Sequence, residues 1–483
     1  MVIDLQAARP PATFPKGGVH PKEWKDRTAG LAIEKIPPPP RVCLFLKQHV
    51  GAGCEVAVKK APVSPPHDNL LFSRHPGRIY QQLVDRKATV RIGDLIGSTG
   101  NHLGAALHAS LGGRVEGVVD ALHPMTGKAP AVVISGDPEA VAPAYGFEDW
   151  RRFPRRELLD RIRRAGVVGL GGAGFPTHSK LDIDPQVALD TLIINGSECE
   201  PYLSCDHRIM VEHAAEVIEG AKIILTILGI RACVIGVEDN KPDAIDILER
   251  TIDDHRAEND FRIAVQPLRV KYPQGSADQI IQSVTGRVRP SGQRSSSIGV
   301  IVQNVYTTKS IYDAVVQSKP FYERVVTVSG QGIARPANLL VPIGIHLADI
   351  VAYLGGTTDA LAKVVIGGPM MGFAVSSLDV PITKTTAGVL FLTRDEIDAQ
   401  DYGPCIRCGF CLDACPMGLE PNMIGIYVEA GRGAEAAQFG LVDDCFECGS
   451  CAYVCPAKRP LVQFIRLARI QIREAERKKE KQK

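Results

Sequence analysis

The sequence contains one cysteine pattern twice, near its C-terminal end. Residues 405 to 416 read CIRCGFCLDACP, and residues 445 to 456 read CFECGSCAYVCP. Both follow C-x2-C-x2-C-x3-C-P, and together they hold eight of the thirteen cysteines of this 483-residue chain. Four cysteines this close in sequence must either surround a common metal centre or pair into disulfides, so they constrain the local fold more than any other feature.

The rest of the composition favours metal ligands over disulfides. The first residues, MVIDLQAARPPATFPKGG, place charges and prolines where a signal peptide needs an apolar core. We therefore expect the chain to stay in the cytoplasm, where disulfides are rare. The most apolar stretch is interrupted by Lys222 and Arg231, so no membrane-spanning segment is predicted. A net charge of +2 gives no indication of nucleic-acid binding.

The cysteine spacing is that of the ligands in two-cluster bacterial ferredoxins. Three cysteines of one copy reach three corners of a [4Fe–4S] cube, and the fourth, followed by proline, ligates the other cube. We predict that one cluster binds Cys405, Cys408, Cys411 and Cys455. We predict that the other binds Cys445, Cys448, Cys451 and Cys415. The alternative is a pair of zinc sites, although these usually pair C-x2-C units without a trailing proline.

A glycine-rich stretch, GVVGLGGAGFPTHSK, forms a second candidate site at residues 166 to 180. Glycines at this density let the backbone come close to a ligand, and such a loop presents N–H groups to phosphate. We therefore interpret it as a cofactor loop. The residues themselves leave an ordinary glycine turn as the alternative.

Polar residues follow the strands predicted after this loop. The apolar run LII at 192–194 opens into Asn195, Glu198 and Glu200. The strand GVIVQ likewise leads into Asn304 and Thr307 at the start of a predicted helix. A β-α-β-α rhythm indicates a parallel sheet, and such sheets bind ligands beyond the carboxyl ends of their strands. We expect an anion site there, with simple N-capping as the alternative for Asn304 and Thr307.

Together these motifs resemble the C subunit of the Rnf electron transport complex. The chain carries the family's segments in order: KGGVHP (16–21), KQHVGAGCE (47–55), GLGGAGFPT (169–177), TLIINGSECEPYL (191–203), IGVEDNKP (235–242), KYPQG (271–275), GVIVQNV (299–305), GGPMMGF (367–373) and both cysteine motifs. The glycine-rich region is also similar to the NADH-binding 51 kDa subunit of respiratory complex I. It departs from that subunit at Leu170, where the relative has arginine.

The resemblance implies that FMN and NAD(H) bind in the glycine-rich domain. Matched by motif, the flavin site would contain Gly169, Gly171, Gly172, Gly174, Lys180, Asn195, Glu198, Glu238, Asn304 and Thr307. Phe175 and Glu200 match positions that face the nicotinamide nucleotide in the complex I relative. No catalytic acid or base is expected, because the cofactors carry the chemistry.

The resemblance also implies a multidomain chain of α/β and α+β type. We expect an N-terminal β barrel-sandwich domain (1–145), a Rossmann-like FMN/NADH domain (146–318), a β-grasp SLBB domain (319–385), a helical two-cluster ferredoxin-like domain (386–465) and a basic helical tail (466–483). A hairpin is expected at 107–113, and residues 59–89 form an insertion longer than is usual in the family. The tail could lie on an anionic membrane or a partner, or be a solvated helix end.

The expected function is electron transfer between NADH, FMN and two [4Fe–4S] clusters in an ion-translocating ferredoxin:NAD oxidoreductase. The expected partners are the membrane subunits of such a complex, a ferredoxin-like subunit and NADH, with no nucleic acid. The expected location is peripheral, on the cytoplasmic face of the bacterial inner membrane. Two alternatives remain: a soluble flavin and iron–sulfur reductase, such as a microcompartment cobalamin reductase, and a ferredoxin-like wiring subunit without nucleotide binding.

Overall fold

The computed structural model describes residues 10–46, 54–56, 78–98, 103–172, 174–254, 261–439 and 442–481. Most of the predicted insertion at 59–89 and of the KQHVGAGCE motif lies outside these residues. The described strands form four sheets, three of four strands and one of six. They agree with the predicted combination of β, α/β and α+β units.

The N-terminal segment runs along the later domains before the β domain begins. Ala12 forms a parallel bridge with Leu268, and Val19 forms an antiparallel bridge with Tyr272. Strand β1 (Ile33–Lys35) then pairs in parallel with residues 338–340, more than three hundred positions along the chain. Residues 10–36 therefore connect the flavin region and the β-grasp region instead of joining the barrel.

Two sheets form the N-terminal β domain. The first has the order β2-β9-β8-β5 and contains β2 (Arg41–Phe45), β5 (Thr89–Val90), β8 (Gly113–His123) and β9 (Gly127–Gly136). The second has the order β3-β4-β6-β7 and contains β3 (Cys54–Val56), β4 (Arg78–Gln82), β6 (Leu95–Ser98) and β7 (Leu107–His108). The predicted hairpin at 107–113 is wrong, because β7 and β8 belong to different sheets and the hairpin joins β8 to β9.

The third sheet is fully parallel and has the order β12-β11-β10-β13. Its strands are β10 (Thr191–Gly196), β11 (Ala232–Glu238), β12 (Arg262–Leu268) and β13 (Val300–Asn304). Every residue of β11 is buried, as expected of a parallel strand covered on both faces. This sheet confirms the predicted Rossmann-like unit.

Seven α-helices surround this parallel sheet. They are α1 (Arg155–Ala165), α2 (Thr177–Leu181), α3 (Cys205–Glu212), α4 (Ala214–Leu228), α5 (Pro242–Asp254), α6 (Ala277–Thr285) and α7 (Val305–Val316). Short 3-10 helices cover Trp150–Arg152 and Ser295–Ile298. Helix α4 ends at Gly229, whose φ of 70° is the left-handed conformation that stops a helix without steric cost.

The six-stranded sheet has the order β1-β15-β14-β18-β16-β17. Its remaining strands are β14 (Glu323–Ser329), β15 (Ala337–Pro342), β16 (Leu361–Ile366), β17 (Phe373–Val375) and β18 (Gly388–Thr393). Helix α8 (Leu347–Tyr353) buries Leu347 and Ile350 in the same core as Val326 and Phe391. A 3-10 helix, Arg394–Glu396, leads out of the sheet.

The C-terminal part is helical. It contains α9 (Phe410–Ala414), α10 (Pro421–Glu429), α11 (Ser450–Tyr453) and α12 (Leu461–Lys481), with 3-10 helices at Gly433–Phe439 and Val442–Asp444. Between the two cysteine motifs, α10 is followed by the 3-10 helix Gly433–Phe439. Within the described residues, no helix has the length and apolarity needed to cross a membrane.

Candidate functional site

The eight motif cysteines lie in two groups of four, each around its own cavity. One cavity is lined by Cys405, Cys408, Cys411 and Cys455. The other is lined by Cys445, Cys448, Cys451 and Cys415. We call these the first and the second cysteine site. Each site takes three cysteines from one copy of the motif and the fourth from the other copy.

The backbone of both cysteine loops turns sharply at a glycine, which lets the loop wrap around a metal centre. Gly409 and Gly449 sit at φ of 83° and 81°, and each starts a short helix that carries the third cysteine of its loop. The Leu419 N–H lies 3.4 Å from Cys415 Sγ, and the Glu447 N–H lies 3.4 Å from Cys445 Sγ. Amide hydrogen bonds to ligand sulfurs are typical of iron–sulfur sites. Burial raises the pKa of the Cys445 thiol to about 12, so a bound cation would have to stabilise its thiolate.

In the flavin region, polar side chains converge at the carboxyl edge of the parallel sheet. Asn195, the next-to-last residue of β10, is paired in register with Asn304, the last residue of β13. Asn195 Nδ2 donates to Gly275 O at 2.7 Å, which ties strand β10 to the KYPQG loop. Asn304 is the N-cap of α7, since its Oδ1 accepts from the Thr307 N–H at 3.1 Å. The capping alternative for Asn304 is therefore present in the structure.

The glycine-rich loop packs directly on this edge. The Leu170 N–H donates to Thr307 Oγ1 at 2.9 Å. A Cβ on Gly171 would lie 3.0 Å from the Asn304 side chain, so a larger residue would push the loop away. Gly172 is exposed, and a Cβ there would meet no protein atom within 4 Å. The loop closes through a 2.9 Å hydrogen bond from the Gly169 N–H to Phe175 O, and Gly174 adopts a φ of 66°.

Glu198 caps a helix in this structure. Its carboxylate accepts from the Asp206 N–H at 2.7 Å and the His207 N–H at 3.1 Å, at the start of α3. Asp206 in turn accepts from Asn304 Nδ2 at 2.6 Å. Burial, together with the nearby Glu198 charge, raises the pKa of Asp206 to about 7. Glu198 therefore orders the loop after β10, and its contact with flavin stays a prediction.

Glu200 is bonded to the GGPMMGF loop. Its carboxylate oxygens accept from the Met370 N–H at 3.1 Å and the Met371 N–H at 2.9 Å. A Cβ on Gly368 would overlap the Glu200 carboxylate, so only glycine allows this approach. Burial raises the pKa of Glu200 to about 7. Its predicted contact with a nucleotide is still a proposal, and the structure adds a role in joining two domains.

Two buried lysines complete the region. Lys25 Nζ donates to the carbonyls of Glu198 and Glu200 at 2.8 and 2.9 Å and to that of Leu203. Lys241 Nζ forms a 3.1 Å ion pair with Glu238, and both side chains are almost wholly buried. Lys241 therefore already balances the negative charge of the Glu238 carboxylate.

Lys180, the lysine of the glycine-rich segment, lies on α2, and desolvation lowers its pKa to about 8.

The flavin region and the second cysteine site are in direct contact. Tyr272, only 2% exposed, donates its hydroxyl to Cys448 O at 2.7 Å. Cys199, Met370 and Cys448 pack around Tyr272 in one small apolar cluster. The Gly18 N–H also donates to Ala414 O at 2.9 Å, beside Cys415. The second site is thus held against the parallel-sheet domain.

The comparisons with known proteins match this architecture segment by segment. Residues 13–63 and 63–139 match the RnfC barrel sandwich hybrid domain, and residues 162–313 match the Nuo51 FMN-binding domain. Residues 325–374 match the SLBB domain, and residues 402–459 match the 4Fe-4S dicluster domain. These family models cover each of the four structural regions.

Relatives match along almost the whole chain. The C subunit of the proton-translocating ferredoxin:NAD(+) oxidoreductase complex of Clostridium ljungdahlii is 40% identical, over 96% of this chain and 96% of the relative. The chain belongs to the RnfC family. The RnfC-type relative in the ion-translocating oxidoreductase complex of Rhodobacter capsulatus is 36% identical, over 96% of this chain and 84% of the relative. Its counterpart in the Na(+)-translocating ferredoxin:NAD(+) oxidoreductase complex of Acetobacterium woodii is 35% identical, over 95% of this chain and 96% of the relative.

As an RnfC-family chain, the protein carries an FMN domain and a two-cluster domain, and its residues fit both cofactors. Each cysteine site takes three sulfurs from one closely spaced loop and a fourth from the other motif copy, which suits a [4Fe–4S] cluster, whereas all-cysteine zinc sites usually pair two separate C-x2-C units. The exposed Gly172 backbone leaves room for a phosphate beside the glycine-rich loop, which packs against the start of α7 through the Leu170–Thr307 hydrogen bond. The arrangement of the cysteines disfavours the alternative of two zinc sites.

Sequence reasoning missed three residues that organise the site. Lys25 lies outside every motif that we singled out, and nothing local marks it as buried. Lys241 and Tyr272 lie inside the quoted segments IGVEDNKP and KYPQG, so their motifs were the available signal. Besides the nearby Glu238, Lys241 donates to Ser197 O, 44 positions away, and Tyr272 donates to Cys448 O, 176 positions away, which no local pattern predicts.

Proposed function

We propose that this chain is the NADH-binding flavin and iron–sulfur subunit of a membrane-bound, ion-translocating ferredoxin:NAD oxidoreductase. The observation that carries the proposal is the junction between the two candidate sites. The Tyr272 hydroxyl on the flavin side bonds the Cys448 carbonyl in a cysteine loop at 2.7 Å. A chain that joins a Rossmann-like sheet to a two-cluster domain in this way is suited to transfer electrons between the two within one polypeptide.

In this proposal the strand ends and the glycine-rich loop bind FMN. The loop backbone and the start of α7 would hold the phosphate, while Asn195 and Asn304 shape the sheet edge. Lys25 and Glu198 keep the 198–203 loop ordered around that edge. When bound, flavin would exchange a hydride with NADH and single electrons with the clusters. The residues of this chain position the reactants and exclude water.

The proposed partners are the other subunits of such a complex, including membrane subunits and a ferredoxin-like subunit. The relatives in C. ljungdahlii, R. capsulatus and A. woodii are named as subunits of complexes, which supports this assignment. The surface over the first cysteine site is the natural place for electron exchange with a partner. There Ile406, which lines the site, is 64% exposed, and Phe410, next to the lining residues Gly409 and Cys411, is 54% exposed. We place the chain at the cytoplasmic face of the membrane, where NADH is available.

An anaerobic absorbance titration of the purified full chain with NADH tests this function. We expect the flavin band to bleach first and the broad iron–sulfur absorption to fall afterwards. If the protein holds clusters that only dithionite reduces, and holds no flavin, the proposed function is wrong. The chain would then be a two-cluster electron-transfer protein whose clusters are reduced by another protein.

The junction can be tested by replacing Tyr272 with Phe. This change removes the hydroxyl that holds the Cys448 carbonyl but keeps the ring in its apolar cluster. Loss of such a partner next to a metal ligand typically costs about tenfold or more, so we expect NADH to reduce the clusters about tenfold more slowly. Stopped-flow absorbance would show this, while the rate of flavin bleaching stays unchanged.

The matched control is Tyr353→Phe. Tyr353 also gives up one hydrogen bond, to the Glu34 carboxylate, but lies on the β-grasp domain. Cluster reduction in this variant should proceed at the rate of the unaltered chain. Equal rates for Tyr272→Phe and Tyr353→Phe would show that the Tyr272 hydroxyl does not support electron transfer.

A further inference from the structure

Helix α12 makes contacts that a free basic tail would not make. The sequence predicts a tail from residue 466 that lies on a membrane, on a partner or in solvent. In the structure, α12 begins at Leu461 and buries Ile465 and Ala468 against the helical domain. Arg469, inside the predicted tail, is only 7% exposed. A buried arginine needs partners, and its partners show what this helix does.

Those partners lie in the loop of the second cysteine site and in the 3-10 helix just before it. Arg469 Nη1 pairs with Glu447 Oε1 at 2.7 Å, and Arg469 Nε donates to Val442 O at 3.1 Å. Arg469 Nη2 also donates to the carbonyl of Cys445. Arg466 Nε takes the other carboxylate oxygen, Glu447 Oε2, at 2.7 Å. One carboxylate is therefore clamped by two guanidinium groups of α12.

Glu447 is itself part of the cysteine loop. It lies between Cys445 and Cys448 and lines the cavity of the second site. Its φ of 67° is uncommon for a residue with a side chain, so the surrounding contacts must hold it there. Its own N–H is directed at Cys445 Sγ, 3.4 Å away. The two arginines thus fix the peptide that bonds a ligand sulfur.

Among the contacts of the described residues, no carboxylate in the loop of the first cysteine site is clamped in this way; the buried Arg459 lines that site but pairs with Glu429, outside the loop. The position that matches Glu447 in the other copy of the motif is Arg407, which has a φ of 58° and is exposed. Glu447 is only 6% exposed. Two sites with one cysteine spacing therefore have different charge environments, and charge and hydrogen bonding set the potential of a cluster.

We propose that Arg466 and Arg469, acting through Glu447, position the loop of the second cysteine site and set the reduction potential of the cluster bound there. This inference rests on the proposed function, because it requires that a cluster occupies the site. Arg469 places a buried positive charge beside the site, which stabilises the extra electron of the reduced cluster. It also fixes the Cys445 carbonyl and, through Glu447, the N–H that reaches Cys445 Sγ.

Redox titration of the full chain, followed by electron paramagnetic resonance, tests the proposal. In Arg469→Gln we expect the equilibrium constant for one-electron reduction of the second cluster to fall about tenfold, a shift of about 59 mV to lower potential. In Glu447→Gln, which removes the negative charge, the shift should have the opposite sign. The cluster of the first site should keep its potential in both variants.

Arg473→Gln is the control. Arg473 lies one turn further along α12 and pairs at 2.9 Å with the exposed Asp443, a residue outside both cysteine motifs. Neither cluster should change its potential in this variant. If Arg469→Gln does not load with iron, Arg466→Gln decides the question, because Arg466 is partly exposed and its ion pair is with the Glu447 carboxylate.

The outcomes separate this inference from the proposed function. If the unaltered chain binds no clusters, the proposed function fails and the inference fails with it. If both clusters are present and the arginine variants leave both potentials unchanged, only the inference is overturned. Shifts of the same sign in Arg469→Gln and Glu447→Gln would indicate loop damage rather than charge, and would also overturn it.

Discussion

Replacing Cys455 by Ala is expected to remove the cluster of the first cysteine site, although Cys455 belongs to the second copy of the motif. It lines the cavity of Cys405, Cys408 and Cys411. With two [4Fe–4S] clusters, the unaltered chain should contain about eight iron atoms, and this variant about four. Iron and sulfide analysis with electron paramagnetic resonance would measure the loss.

Double variants make this prediction sharper. Cys405→Ala with Cys455→Ala changes one cavity only, so about four iron atoms should remain. Cys445→Ala with Cys455→Ala changes both cavities, so essentially no intact cluster should remain. If the second pair keeps one whole cluster, each motif binds its own cluster and the crossed arrangement is wrong. Cys233→Ala, in the buried strand β11, is the control and should leave the iron content unchanged.

Flavin binding should be lost when Gly172 is replaced by Val. Apart from its chain neighbours, a Cβ at Gly172 meets no atom of the described residues within 4 Å, so we expect the change to leave their packing intact. If the loop lies against FMN, the new side chain occupies the space that the cofactor needs, and we expect the affinity for FMN to fall about a hundredfold or more. Fluorescence titration of the flavin-depleted protein with FMN would measure this.

Gly146→Val is the matched control for this change. Gly146 is also exposed and also has open space around its Cβ position, but it lies in the segment before α1. The control should bind FMN like the unaltered chain, and both variants should melt at similar temperatures. Unchanged FMN affinity in Gly172→Val would show that the glycine-rich loop does not contact the cofactor.

The structure shows specific hydrogen bonds for several residues that the sequence could place only near a site. Glu198 and Asn304 both cap helices, and Glu200 bonds the backbone of the GGPMMGF loop. Sequence patterns could not reveal these bonds, because the partners of Glu200 are 170 and 171 positions away. A side chain next to a ligand site can hold the loop that forms the site by hydrogen bonds, as well as contact the ligand.

The cysteine spacing by itself determined the kind of metal centre and the grouping of ligands that we propose. Four thiols at fixed short intervals, followed by proline, can close around a cube in few ways. Apolar runs alternating with helical segments likewise determined the parallel sheet, because such strands must be covered on both faces. Both patterns, the cysteine spacing and the apolar runs, are local in sequence and can be recognised without knowledge of the fold.

Tertiary structure alone decided which cysteine site meets the flavin region and what α12 does. The bond from Tyr272 to Cys448 and the clamp of Arg469 on Glu447 join residues 176 and 22 positions apart. In sequence, the end of the chain is simply basic, and a charge run usually indicates a solvated helix. At the start of this run the burial of Arg469 changes that interpretation, because a desolvated guanidinium is tolerated only where carbonyls and a carboxylate surround it. Here the Cys445 carbonyl and the Glu447 carboxylate belong to a cysteine loop.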